Sequence, residues 1–307
     1  MRENVGLKDI WSLIRESISA WIDDYAPSMG AALAYYTLFS IAPLLIIVIA
    51  VAGFFFGTDA AQGEIVGQVR GLIGDDGATA IEGLLESASR PESGLIASAL
   101  GFLTLFIGAT TLFAELQSDL DRIWRSPAAQ PGGGIWALIH TRLLSFGMVL
   151  AIAFLLLVSL VISAALAAFG KIWGDSDGSW AVLLHGLNFV ISFVVVTGLF
   201  ALIYKMLPRT RIAWRDVWAG SVVTTLLFTI GKFLIGVYLG RAGVESAYGA
   251  AGSLVVLIVW VYYSAQIFLL GAEFTWVYAR RHGSRIKDAE SPRVANSSDA
   301  AGRVSKR

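Results

Sequence analysis

Lys232, Glu273 and Glu115 are the ionisable residues of most chemical interest, because each stands within or at the edge of a long apolar run. Lys232 lies in LLFTIGKFLIGVYLG and Glu273 in LLGAEFTW. A charge at membrane depth is costly unless it is paired, hydrated or used, so such groups mark ion pairs, proton relays and solute paths. Lys232 and Glu273 differ in depth by about 15 Å at the helical rise, too far for a direct pair. Lys232 is therefore expected to snorkel outward or to meet Glu245, and Glu115 or Glu273 to meet Arg142 or Arg215. A second group is neutral. In AALAYYTLFSIAPLL (31–45), Tyr36, Ser40 and Pro43 share one stripe of a helix. Pro43 has no N–H to offer the Phe39 carbonyl, so the helix bends and a freed carbonyl needs a partner. That stripe should face protein or a wet cavity, leaving Ile46, Val48 and Ile49 toward lipid. Gln266 adds an amide within the last apolar run. The candidate lining of a substrate path is thus Tyr36, Ser40, Pro43, Lys232, Glu273, Glu115 and Gln266.

Other chemistries find little support. The chain has no cysteine, which excludes disulfides, thiolate ligands and a catalytic thiol. Its three histidines, His140, His185 and His282, are far apart. A metal-dependent nuclease needs clustered His, Asp or Glu ligands. Asp119 and Asp121 in SDLDRIW stand beside Arg122 and Arg125 and read as a surface turn. No phosphate-binding loop is present. The expectation is no catalytic residues, no metal, no cofactor and no specific nucleic-acid partner.

The elements that must position these groups follow from composition. Of 307 residues, 56% are hydrophobic and 15% charged, with mean hydropathy +0.69. A soluble domain carries about 25% charged residues, so part of this chain's solvent is lipid. Runs of roughly 20 apolar residues, enough to cross a bilayer, fall at about 31–57, 94–116, 143–170, 181–204, 214–239 and 249–279. With both ends inside, eighteen of the twenty-three Lys and Arg residues are cytoplasmic and four lie in outer loops. The positive-inside rule expects that bias. The fold class is all-α: a polytopic bundle of six transmembrane helices with both termini cytoplasmic. Residues 1–30 form a cytoplasmic amphipathic helix on the membrane surface rather than a cleaved leader, with Trp11 and Trp21 at headgroup depth. Residues 58–93 are an acidic outer loop with two short amphipathic helices split by GDDG, and 240–252 is a candidate re-entrant segment. Residues 283–307 read as a disordered basic tail.

Three stretches in order, AALAYYTLFSIAPLL, LPRTRIAWRDVWAGS (207–221) and YGAAGSLVVLIVWVYYSAQIFLLGAEFTWVY (248–278), resemble the YihY/BrkB family of bacterial inner-membrane proteins. The resemblance covers roughly residues 8 to 282. It implies a six-span protein of the bacterial cytoplasmic membrane and supplies no accepted catalytic set, although an old family label is ribonuclease BN. From the residues themselves, the expected function is a transporter or channel-like carrier for an unidentified small solute or lipid. The alternative is a scaffold or lipid- and envelope-handling protein whose polar groups only hold helices together, and a membrane-associated ribonuclease ranks below both. The bilayer is the one certain partner, and self-association is compatible with the sequence.

Overall fold

The computed structural model describes residues 7–88, 95–126, 147, 178–241 and 252–285. Every regular element among them is helical: α1 (Leu7–Asp23), α2 (Ala26–Phe56), α3 (Thr58–Ala88), α4 (Leu95–Ile123), α5 (Gly178–Met206), α6 (Trp214–Arg241) and α7 (Gly252–Arg281). Four hold stretches long and apolar enough to cross a membrane: Ala26–Phe54, Gly186–Met206, Trp214–Tyr238 and Gly252–Arg281. The run expected at 94–116 is the first part of α4. The run at 143–170, the segment 242–251, His140, Arg142, Glu245 and the tail beyond Arg285 lie outside the described residues, except for Gly147.

The first membrane helix begins at Ala26, five residues before the apolar run predicts. Pro27 explains this, because in the first turn of a helix its missing N–H breaks no hydrogen bond. Tyr25 precedes the helix in the left-handed region, φ 58°, so the chain turns sharply from α1 into α2. α1 packs on α7 through a narrow strip including Leu13, Ser17 and Ala20. Ile10, Trp11, Ile14, Ile18 and Ile22 remain exposed as an apolar face of α1.

α7 is the hub: α1, α2, α3, α4 and α6 all pack against it. Its seam with α6 is reciprocal. A Cβ on Gly220 would lie 1.8 Å from the Thr275 hydroxyl, and one on Gly271 would lie 2.0 Å from that of Thr224. Each threonine hydroxyl donates to the carbonyl of the glycine one turn back on its own helix, Thr224 to Gly220 and Thr275 to Gly271. Bare glycine backbone lets the two helices approach, and the hydroxyls satisfy themselves locally.

α3 is two helical segments joined at Gly74, whose φ of 81° only glycine takes without strain. Its apolar side packs against α2 and α7, with Val66, Ile81 and Leu85 meeting a cluster that includes Ile49 and Leu257. The expectation that Ile49 faces lipid is therefore corrected: it is 7% exposed because α3 covers it.

Hydrogen bonds gather several helix ends at one end of the bundle. Gln117 of α4 donates to the Leu207 carbonyl, and Asp121 accepts the Arg209 backbone N–H at 2.8 Å. Asp216, buried at the start of α6, accepts both the backbone N–H and the hydroxyl of Ser284, at 3.0 and 2.6 Å. Arg215 donates to the His282 carbonyl rather than to Glu115 or Glu273. Arg281 pairs with Glu16 of α1. Packed chain thus continues through Arg285, past the residue 283 at which the tail was expected to begin.

Candidate functional site: a buried carboxyl pair at the clamped end

Glu273 has no exposed surface, and no N–H or O–H of the described residues reaches either carboxylate oxygen. The charged groups that act on it are Asp24, Arg125 and Asp23. Asp24 is the nearest in chemical consequence: it sits at the α1–α2 corner, 5% exposed, with one oxygen bonded by Arg125 at 2.7 Å and the other unpartnered. Arg125 follows the end of α4, and its guanidinium also lies over the Trp276 ring, which Arg280 covers as well. Three elements therefore place two carboxyls and one fixed cation together. With both carboxylates ionised, the group carries one net negative charge, on buried carboxyls beside an Arg125 side chain that reaches the surface.

Backbone conformation marks the same place. Among the described residues, Tyr25 and Arg125 alone combine a side chain with positive φ, 58° and 50°. One adjoins Asp24 and the other is its ion-pair partner. Bulky residues in this region cost of order 1–3 kcal/mol and persist where surrounding contacts impose them, commonly at working sites.

Further buried, unpartnered polar atoms lie on α7 and α2. The Gln266 amide, two turns from Glu273 on the same face, has both its oxygen and its nitrogen buried and unpartnered. It lies on the bare backbone of Gly30, where a Cβ would come within 1.9 Å of Nε2. Ser40 is 1% exposed and its hydroxyl also lacks a partner, so it does not cover the carbonyl that Pro43 frees. Pro43 itself is buried and Tyr36 is half-buried. Beyond Gln266 the seam is closely packed, with Thr37, Leu38 and Ile41 of α2 facing Leu257 and Val261 of α7.

Two candidates stand elsewhere. Lys232 is exposed on α6. Its neighbour Gly231 meets Tyr263 and Ile267, which puts Lys232 about two turns from the level of Glu273. Glu115 is half-buried and acts on Asp119, one turn further along α4. Asp119 lies beyond the apolar stretch of that helix, is 6% exposed, and keeps one oxygen unpartnered. Burial first, and the Glu115 charge second, push its carboxyl up to about 7, with Arg122 working the other way. SDLDRIW is therefore no surface turn but the end of α4 and the residue after it, with Asp119, Leu120, Ile123 and Trp124 buried and Ser118 and Arg122 exposed. Among the described residues, no three His, Cys, Asp or Glu side chains gather as a metal site.

A family model described as Virulence factor BrkB matches residues 17–295. The chain belongs to the BrkB family. Its relatives include a UPF0761 membrane protein of Verminephrobacter eiseniae, 31% identical over 260 residues, covering 82% of this chain and 58% of that protein. Another, from Stenotrophomonas maltophilia, is 28% identical over 258 residues, covering 83% and 58%. One from Pseudoalteromonas translucida is 26% identical over 276 residues, covering 87% and 88%. This BrkB-family chain thus spans less than two thirds of the first two proteins it matches. Both are described as membrane proteins. No solved structure matches.

Asp24 and Arg125 are the site residues that sequence reasoning missed. Asp24 looked like one more charge of the surface helix, and Arg125 like a positive-inside residue. The available signal was position: both directly flank an apolar helix, at ends that the topology puts on the same side.

Proposed function

We propose that this BrkB-family protein is a secondary carrier of the bacterial cytoplasmic membrane that crosses six times with both termini inside. The distribution of lysine and arginine supports the orientation. The apolar runs of the sequence support the count, four of them lying in described helices long and apolar enough to cross.

The observation that carries the carrier reading is Glu273, a carboxyl with no exposed surface, set in a crossing helix and opposite a second carboxyl. A purely structural core would be at least as stable with apolar residues there, because desolvating a charge outweighs the attraction of an imperfect pair. Arg125 compensates one carboxylate, and taking up one proton brings the Asp24–Arg125–Glu273 group to neutrality. Charge neutralisation of that kind lets a buried site change its solvent exposure without carrying net charge through the bundle. Gln266 and Ser40 extend unpartnered polar atoms from this pair toward the middle of the membrane.

The test uses proteoliposomes with a pH-sensitive dye inside and a protein-free small-molecule extract of bacterial cells as probe. Solute-dependent proton movement is expected with the native chain and is expected to fall at least tenfold in Glu273→Gln and Asp24→Asn. A native chain that moves no proton or solute, or a Glu273→Gln variant that works as well as the native one, contradicts the proposal.

A further inference from the structure

α3 does not stand away from the bundle. Its apolar side shares one cluster with Leu38, Ile41, Leu45, Ile46 and Ile49 of α2 and with Leu257, Trp260 and Val261 of α7. Leu38 lies sixteen residues before the end of the α2 crossing at Phe54, about 24 Å along that helix. The first segment of α3 therefore runs back beside α2 for more than half its length, turns at Gly74 and returns. The other side of the same hairpin is polar. Asp59, Glu64, Arg70, Asp75, Glu82 and Glu86 are all exposed. Arg70 ties the two segments near the turn, pairing with Asp75 at 3.1 Å and Glu82 at 3.2 Å.

These two facts conflict if lipid surrounds the hairpin. Both α2 and α7 are membrane-crossing helices by length and composition, so a hairpin seated on their middle sits at membrane depth. Its charged face can exist there only against water or other polar groups. We propose that α3 re-enters the membrane from the end where α2 finishes, and that its polar face lines a water-filled vestibule forming the outer half of the substrate path. The path role rests on the carrier reading; the re-entrant geometry does not. The vestibule and the Asp24–Glu273 pair then occupy opposite ends of one seam along α2 and α7, with the apolar stretch around Thr37 between them.

Because the chain lacks cysteine, single and double cysteine variants report without background. Spin labels on Asp75→Cys and on Phe39→Cys, an exposed position of α2, measure the geometry in proteoliposomes. A re-entrant hairpin puts them within about 25 Å, whereas a hairpin standing off the membrane separates them by roughly 45 Å at the helical rise. The longer distance overturns the proposal. A charged, membrane-impermeant thiol reagent added outside is expected to modify Asp75→Cys, and failure to react removes the water-filled vestibule. Attaching a bulky thiol reagent there is expected to slow solute-dependent proton movement severalfold. Unslowed movement beside the short distance removes the path role and leaves the carrier reading standing; no movement before modification overturns both, while the spin-label distance still decides the hairpin.

Discussion

At the scale of single residues, the chain keeps ionisable groups where water is scarce and gives each a different local answer. Arg125 answers Asp24 directly at 2.7 Å, and Glu273 is answered only through that pair. Asp119 has the clearest consequence for stability, because burial and Glu115 raise it from an ordinary value of 3.8 to about 7. Between those two values the native protein holds a proton that the unfolded chain has released. Stability attributable to Asp119 therefore falls as pH rises from about 4 to about 7 and changes no further above that. Asp119→Asn should raise the thermal midpoint in detergent at pH 8 and leave it nearly unchanged at pH 4. Thermal unfolding of the two proteins at both pH values checks this, and an equal shift at both would show that the carboxyl's charge is not the cause.

At the scale of elements, close approach explains more than apolar burial does. The α6–α7 seam depends on Gly220 against Thr275 and Gly271 against Thr224, so adding one methyl forces the helices apart. Gly220→Ala and Gly271→Ala should each cost about 1–3 kcal/mol, the usual range for overpacking a tight contact. Gly63→Ala, on the open side of α3, should cost nothing measurable. Unfolding in a denaturing detergent series compares them. The sequence made much of this level legible. The apolar periodicity of α1, the break at Gly74 and the long runs that became α2, α5, α6 and α7 all followed from local chemistry. Helix pairing did not, because glycine and threonine in an apolar run look alike whether they face lipid or another helix. The same ambiguity hid α3: its alternation of apolar and acidic residues fits a surface loop as well as a hairpin laid against α2.

At the scale of the whole molecule, the clamped end gathers Asp24, Arg125, Asp121, Arg209, Asp216 and the Gly283–Arg285 turn, while α3 begins at the opposite end of α2. Candidate site residues were legible in proportion to their oddity. Glu273, Gln266 and Ser40 stood out because polar groups in apolar runs are rare, and all three have buried, unpartnered atoms. Asp24 and Arg125 did not, because a charge beside an apolar run is ordinary until a third helix brings its partner. Gln266 resting on Gly30 offers a check at this scale: Gly30→Ala should push the end of the Gln266 side chain aside and depress solute-dependent proton movement, and Gln266→Ala in the same chain should relieve the crowding without restoring movement. Restored movement would make Gln266 a packing residue only. All of these roles require that the clamped end and α3 face opposite sides of the membrane. Single cysteines at Gln62 in α3 and Arg211 in the clamped loop, both exposed, test that with a membrane-impermeant thiol reagent on intact cells. Gln62→Cys is expected to react at once and Arg211→Cys only after the cells are opened; reaction of both from the same side would contradict the account.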